Sequence, residues 1–334
     1  MTAGRSRNAV PVAPGVIDVH AHWLPEELYG LPPGSPLPPM RARDGRLHLG
    51  DLPLSITPGS LSDPAEITAD SDRAGIAVRV LSPPPFAFPV GGGAEADDYI
   101  RAYNEGLARV VKDGGGRFLG LGLVRLDDAE AARAGMRELA ALDGIVGFAV
   151  PPVIGGRSYD GGVPRDLLHG AVEFDLAVLV HPMQLPRPEW SGYYLPNLLG
   201  NPVETATAIA SVVLGGVVDE LPDLRICFVH GGGCAPALLG RWDHGWRARP
   251  DVRARAARPP SEGFRSLYVD TLTHDAEALR LLVAKAHPAR LVCGSDYPFD
   301  MADREPVRFA TGNGLDPAVL EANGRAFTGI GARR

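Results

Sequence analysis

The sequence predicts a (β/α)8 barrel. Three observations carry that expectation. Eight short apolar runs recur along the chain, and stretches with helical character lie between most of them, which is the pattern of parallel βαβ units. The runs are nearly continuous in hydrophobic residues, as strands buried on both faces are. A length of 334 residues suits one such barrel with insertions.

The elements follow in order. Residues 1–14 read as a tail ahead of the first strand, Val16–His20. The segment Trp23–Ser62 is rich in Pro and Gly and too long for a simple connection, so it reads as an insertion over the barrel mouth. Asp44-Gly45 within it suits the tight turn of a small hairpin. Further strands are expected at Val78–Ser82, Phe118–Val124, Ile145–Val150, Ala177–His181, Arg225–His230, Ser266–Asp270 and Leu291–Ser295. Helical stretches are expected at Ala96–Val111, Asp128–Leu142, Arg165–Phe174, Glu204–Val213 and Asp275–Ala286, with Pro317–Ala326 as a closing helix. A second long segment, Pro182–Pro202, should share the rim with the insertion. With no internal repeat and no linker, residues 1–334 are expected to form a single domain.

Composition narrows the function classes. A hydrophobic fraction of 45% supports a large core, and a net charge of -7 argues against a nucleic-acid or anionic-membrane surface. Three cysteines, Cys227, Cys234 and Cys293, make a disulfide framework implausible and point to the cytoplasm. Neither a signal-peptide core nor a run of transmembrane length is expected.

The chemistry starts from His20 and His22. Residues i and i+2 of an extended strand point to the same side, so both rings can reach one point in space. His-x-His pairs also arise by chance, and a strand-end histidine is more often a hydrogen-bonded rim residue. The weight comes from three more polar residues in equivalent places: His181, His230 and Asp296. Barrels of this type build active sites at the carboxyl ends of their strands, where these five residues would meet. Imidazoles plus one carboxylate suit a borderline divalent ion, zinc first, with manganese or iron as alternatives.

Here the sequence resembles a known group. His20-Ala21-His22, His181-Pro182, Phe228-Val229-His230-Gly231-Gly232-Gly233 and Gly294-Ser295-Asp296-Tyr297-Pro298 are similar to the amidohydrolase superfamily, and within it to the 2-amino-3-carboxymuconate-6-semialdehyde decarboxylase-like branch. The similarity is densest from His181 to Asp251, including Tyr194-Leu195-Pro196 and Gly240-Arg241-Trp242-Asp243-His244-Gly245. The resemblance implies that His20, His22, His181 and Asp296 bind one metal, and that His230 acts as general base or proton donor. It also implies that Arg241 reaches a substrate carboxylate across a dimer interface, where a guanidinium fork can pair both oxygens. Tyr194 and Phe299 match aromatic pocket positions, Tyr194 standing where the branch has a tryptophan.

Two-metal amidohydrolases commonly bridge their ions with a modified lysine at the end of the fourth strand. Gly144–Val150 contains none, and the chain's lysines, Lys112 and Lys285, fall in helical stretches, so one metal is expected. One departure concerns substrate: where the branch carries a second substrate arginine after the insertion's Asp-Gly, this chain has Leu49, with Arg41, Arg43 and Arg46 nearby. The expected function is non-oxidative decarboxylation of a small unsaturated or aromatic carboxylic acid, by a homodimer. Hydrolysis of a lactone or amide, or hydration of a double bond, is the alternative.

Other residues have plainer readings. His244 is expected to be structural, with a place on the pocket rim as the second reading, His169 and His287 to lie at the surface, and His274 to cap a helix, with a rim role as the alternative. Asp18 should point away from the metal and support the strand or a ligand. Gly231-Gly232-Gly233 reads as close packing around His230, because no phosphate-loop lysine follows it.

Overall fold

A computed structural model describes residues 11–185 and 187–331. The first strand, β1 (Ile17–His22), is buried along its whole length. The chain then leaves the barrel for the insertion, a three-stranded antiparallel sheet of β2 (Met40–Arg43), β3 (Arg46–Leu49) and β4 (Leu52–Pro53). Asp44 and Gly45 link β2 to β3 with φ of 53° and 74°. Both lie in the left-handed region that a two-residue turn of this kind requires, which is why Asp-Gly marks it in the sequence. Helices α1 (Pro58–Ser62) and α2 (Pro64–Ala74) return the chain to the barrel, each started by a side-chain cap, from Thr57 and Asp63 respectively.

The barrel continues through β5 (Val78–Ser82), α3 (Ala94–Asp113), β6 (Phe118–Gly122), α4 (Ala129–Ala141), β7 (Ile145–Val150), α5 (Gly162–Glu173) and β8 (Ala177–Val180). Next come α6 (Asn201–Leu214), α7 (Val217–Glu220), β9 (Ile226–Phe228), α8 (Ala235–Ala248) and α9 (Pro260–Phe264). The last elements are β10 (Tyr268–Asp270), α10 (Ala276–Lys285), β11 (Leu291–Val292), α11 (Pro306–Gly312) and α12 (Pro317–Thr328). Eight parallel strands stand in the order β1-β5-β6-β7-β8-β9-β10-β11. Two bridges, Asp18 to Cys293 and Ala21 to Tyr297, bring the last strand back to the first. The Val19 and His22 amides donate across that seam, at 2.9 and 2.7 Å, to the carbonyls of Cys293 and Tyr297. The architecture is the expected (β/α)8 barrel.

The closing helix α12 lies over the seam. Asn323 donates to the Leu291 carbonyl at 2.7 Å, and Gly324 sits so close to Ile17 that an added Cβ would stand 2.9 Å from that side chain. Among the described residues, no helix is long and apolar enough to cross a membrane.

Strand boundaries differ from expectation in one direction that matters. β1 runs two residues further than expected and contains both histidines of the pair, whereas β9 and β11 stop early. Their last expected residues, among them His230 and Ser295, leave the ladder to build loops around the site.

Candidate active site

Four side chains that could hold a metal ion come from three places on the barrel rim. His20 and His22 project from β1, His181 follows β8, and Asp296 lies in the turn after β11. One ligand atom from each lies within 4.8 Å of every other, and all four residues are buried. Asp296 Oδ1 stands 3.1 Å from His22 Nε2, 3.3 Å from His20 Nε2 and 3.7 Å from His181 Nε2. The turn carrying Asp296 is tied to β1: the Asp296 amide donates to the His20 carbonyl at 2.8 Å.

The other ring nitrogen of each histidine is spoken for. His20 Nδ1 donates to Asp270 Oδ2 at 2.8 Å, His22 Nδ1 to the Pro83 carbonyl at 3.1 Å, and His181 Nδ1 to the Pro182 carbonyl at 2.7 Å. Each ring therefore turns Nε2 toward Asp296, and the Nε2 atoms of His20 and His181 are buried without a hydrogen-bond partner among the described residues. Buried imidazole nitrogens crowded against a carboxylate call for a shared cation, a proton or a metal ion. Donors around a four-coordinate zinc, each about 2.0–2.1 Å from the ion, stand roughly 3.3 Å apart, and the three spacings from Asp296 Oδ1 bracket that value. The residues fit a divalent ion.

Electrostatics agree. Burial penalises a charged imidazole, yet the Asp296 and Asp270 carboxylates outweigh it at His20 and push that group up to about 10. Burial dominates at His22, which is lowered, and at His181, which falls to about 3. Burial works to raise Asp296, but the surrounding imidazoles hold it well below the usual carboxylate range. Positive charge beside Asp296 is thus favoured at His20 and disfavoured at His22 and His181.

His230 stands apart from the four. Its Nε2 is 3.4 Å from the other Asp296 oxygen, Oδ2, and its side chain keeps 16% of its exposure. His230 and Asp296 both adopt positive φ, 55° and 62°. Non-glycine residues held there are costly and concentrate at functional sites. The glycines after His230 serve packing, as the sequence indicated: Gly231 has φ 62° and Gly233 φ 61°, and a Cβ on Gly233 would run into the Pro202 carbonyl.

Supporting groups were less legible. Asp18 lies outside the four-residue cluster and supports the strand, accepting from the His20 and Ser295 amides at 3.1 Å and from Ser295 Oγ at 2.6 Å. Its partner is Arg79 of β5, whose Nε lies 3.0 Å away and whose guanidinium also covers the Tyr297 ring at 4.2 Å. Sequence reading did not single out Arg79, although an arginine inside an apolar strand is a signal for a buried pair. Nor did it assign a role to Asp270, whose position at the carboxyl end of β10 was the available clue. Glu204, also missed, accepts from the Met183 and Leu185 amides at 2.9 and 2.6 Å and pins the start of the rim segment after β8.

The aromatic residues lie as follows. Phe299 packs on His22 with ring centroids 5.2 Å apart, and Phe86, which sequence reading passed over, lies 6.1 Å beyond it. Tyr194 is 48% exposed on the segment after β8. Its phenol is raised by burial and by Asp300 and Asp296, and bonds to Gln184. Arg241 lies exposed on α8, outside its own chain's cluster. Leu49 sits half-buried on β3, while Arg41, Arg43 and Arg46 of the same hairpin are exposed.

His244 is exposed on α8, on the side of that helix facing away from the core. One plainer expectation needs correction. His274 does not cap α10; Asp275 does, accepting from the Ala278 amide at 2.8 Å, because a carboxylate at that position reaches the free amides directly. His169 pairs with Glu220 at 2.9 Å and His287 accepts from the Ala289 amide, both in exposed settings.

A parallel eight-stranded barrel with an imidazole–carboxylate cluster at the carboxyl ends of its strands defines a metal-dependent barrel enzyme. The amidohydrolase family model matches residues 17–325, and the chain belongs to the amidohydrolase family. It is 30% identical over 300 residues to the 2-amino-3-carboxymuconate-6-semialdehyde decarboxylase of Dictyostelium discoideum, covering 87% of this chain and 83% of that protein. Its fold is shared by the 5-carboxyvanillate decarboxylase of Sphingomonas paucimobilis (TM-score 0.76, 21% identity, 95% of this chain and 99% of that one). It is also shared by the manganese-bound 5-carboxyvanillate decarboxylase of Novosphingobium aromaticivorans (TM-score 0.75, 18% identity, 97% of each chain).

Proposed function

We propose that this protein is a metal-dependent, non-oxidative decarboxylase of a small unsaturated or aromatic carboxylic acid. The observation that carries the reading is the four-donor cluster of His20, His22, His181 and Asp296 with His230 beside it on the accessible side. Decarboxylation is favoured over hydrolysis by the similarity to the Dictyostelium decarboxylase along most of both chains.

A divalent ion held by the four donors supplies positive charge against which negative charge developing on the substrate is stabilised. Zinc is the first choice for three imidazoles and one carboxylate, with manganese as the alternative. In the reaction the bond from substrate carbon to the carboxyl group breaks, carbon dioxide leaves, and the electron pair stays on carbon. His230 delivers the proton that carbon then takes. The contact between His230 Nε2 and Asp296 Oδ2 keeps that nitrogen turned toward the reacting centre. Phe299 offers an aromatic wall against His22, and Tyr194, half exposed on the segment after β8, is the second aromatic assigned to the pocket. Arg241 orients the substrate carboxylate of the neighbouring subunit in a homodimer, a role supported by its exposure on α8 and its match to the family position. Leu49 in place of a second arginine favours a substrate with one fewer anchored carboxylate than aminocarboxymuconate semialdehyde. An acidic chain with three free cysteines suits the cytoplasm.

The test is a screen of hydroxybenzoates, aminocarboxymuconates and related acids with the zinc- and manganese-loaded protein. Release of carbon dioxide in step with substrate loss is the expected result. Water incorporation without carbon dioxide would replace the reading with a hydrolase or hydratase.

A further inference from the structure

We infer that Asp270 is a positioning residue that couples the metal cluster to His230: one carboxylate fixes the tautomer of His20 with one oxygen and the His230 turn with the other. The inference rests on the metal site proposed above. Oδ2 accepts from His20 Nδ1 at 2.8 Å. Oδ1 accepts from the Gly231 amide at 2.7 Å and from the Leu272 amide at 3.2 Å. All of these groups are buried, and Asp270 itself has no exposure.

A carboxylate can only accept, so His20 carries a proton on Nδ1 and presents Nε2 to the cluster. The two main-chain bonds matter for a different reason. Gly231 follows His230, and both residues hold left-handed backbone, at φ 55° and 62°. A buried amide at that turn needs an acceptor, and the Asp270 oxygen is the one it has. A Cβ on Gly294 would stand 2.7 Å from the Asp270 carboxyl, so the turn leading to Asp296 packs directly on the same group. Asp270 thus touches the supports of His20, His230 and Asp296 without belonging to the ligand cluster.

Replacing Asp270 by asparagine separates these duties. Its single oxygen is held by two main-chain donors, Gly231 and Leu272, which leaves the amide NH2 facing His20 Nδ1. Two donors then oppose each other, and His20 is driven to carry its proton on Nε2, the wrong nitrogen for metal binding. Outer partners of this type change metal affinity by about 10–100-fold.

The experiment has two arms. Zinc affinity is measured by competition with a chromophoric chelator for the wild type, Asp270→Asn and His20→Ala, with thermal unfolding of each apoprotein recorded alongside. Asp270→Asn is expected to bind zinc about 10–100-fold more weakly than the wild type. Equal affinity of the two, with zinc lost in His20→Ala, would overturn the inference while leaving the metal site standing. Weak zinc in the wild type, unchanged in His20→Ala, would overturn both. The second arm needs no variant to fold. Two-bond nitrogen–proton spectra of the zinc-loaded wild type, resolved over nine histidines, should show His20 protonated at Nδ1. Protonation at Nε2 would overturn the inference.

Discussion

At the scale of single residues, the site separates holding from moving. His20, His22 and His181 each commit one nitrogen to a fixed acceptor and present the other, whereas His230 has no acceptor for Nδ1 and only a long contact through Nε2. A histidine with that freedom suits proton transfer, which contributes about 10²–10⁴-fold to rates. His230→Asn is therefore expected to lower kcat by about that factor while elemental analysis still finds the wild-type metal content. Loss of metal in this variant would make His230 a ligand instead. The ligand residues were legible because metal binding demands particular side chains at particular strand ends. Asp270 and Arg79 were not, since their roles depend on which neighbour each meets across the barrel, and the distance from His20 to Asp270 in sequence gives no hint of that meeting.

Among the secondary-structure elements, β1 and the turn after β11 are tied by a buried charge network. Asp18 on β1 reaches the Ser295 turn and is balanced by Arg79 on β5, which in turn meets Asp70 of α2 at 3.1 Å. Arg79 is almost wholly buried. Removing one member of a buried pair leaves an uncompensated charge, at about 3–5 kcal/mol. Arg79→Met should lower unfolding free energy in urea by about that amount, and its metal affinity should fall as well, because the Asp296 turn hangs from the same carboxylate. A change below about 1 kcal/mol, the range of exposed pairs, would show that Arg79 is not needed there. Most barrel elements could be read from the sequence because continuous apolar runs and helical periods are local signals. Their ends were less legible: β1 continues through His22 because that residue keeps its register with Ser82 of β5, and its amide also meets the Tyr297 carbonyl 275 residues away, partners that no local pattern reveals.

For the whole molecule, two behaviours follow. Chelation should abolish activity and lower the unfolding temperature, since an ion that binds only the folded state adds about 2.7 kcal/mol at a free concentration a hundredfold above its Kd. Re-addition of zinc or manganese should restore both; a chelated protein with unchanged melting and activity would rule the ion out. The second concerns subunits. If Arg241 serves the neighbour's site, Arg241→Ala and His230→Asn chains are each inactive alone. Random mixing into dimers should then recover about a quarter of wild-type turnover, because half the dimers are mixed and each holds one complete site. No recovery after verified exchange would confine Arg241 to its own chain.

The closure of the barrel has a consequence for biosynthesis. Two ligands belong to the opening strand and one, Asp296, to the turn after the final one, with their backbones joined directly. While the ribosome is still translating the last strand, the nascent polypeptide can gather His20, His22 and His181 but lacks the acid that completes the set. Full-affinity loading of the ion is thereby deferred until translation is nearly finished, and a prematurely terminated product lacking Asp296 would compete poorly for the cell's metal supply.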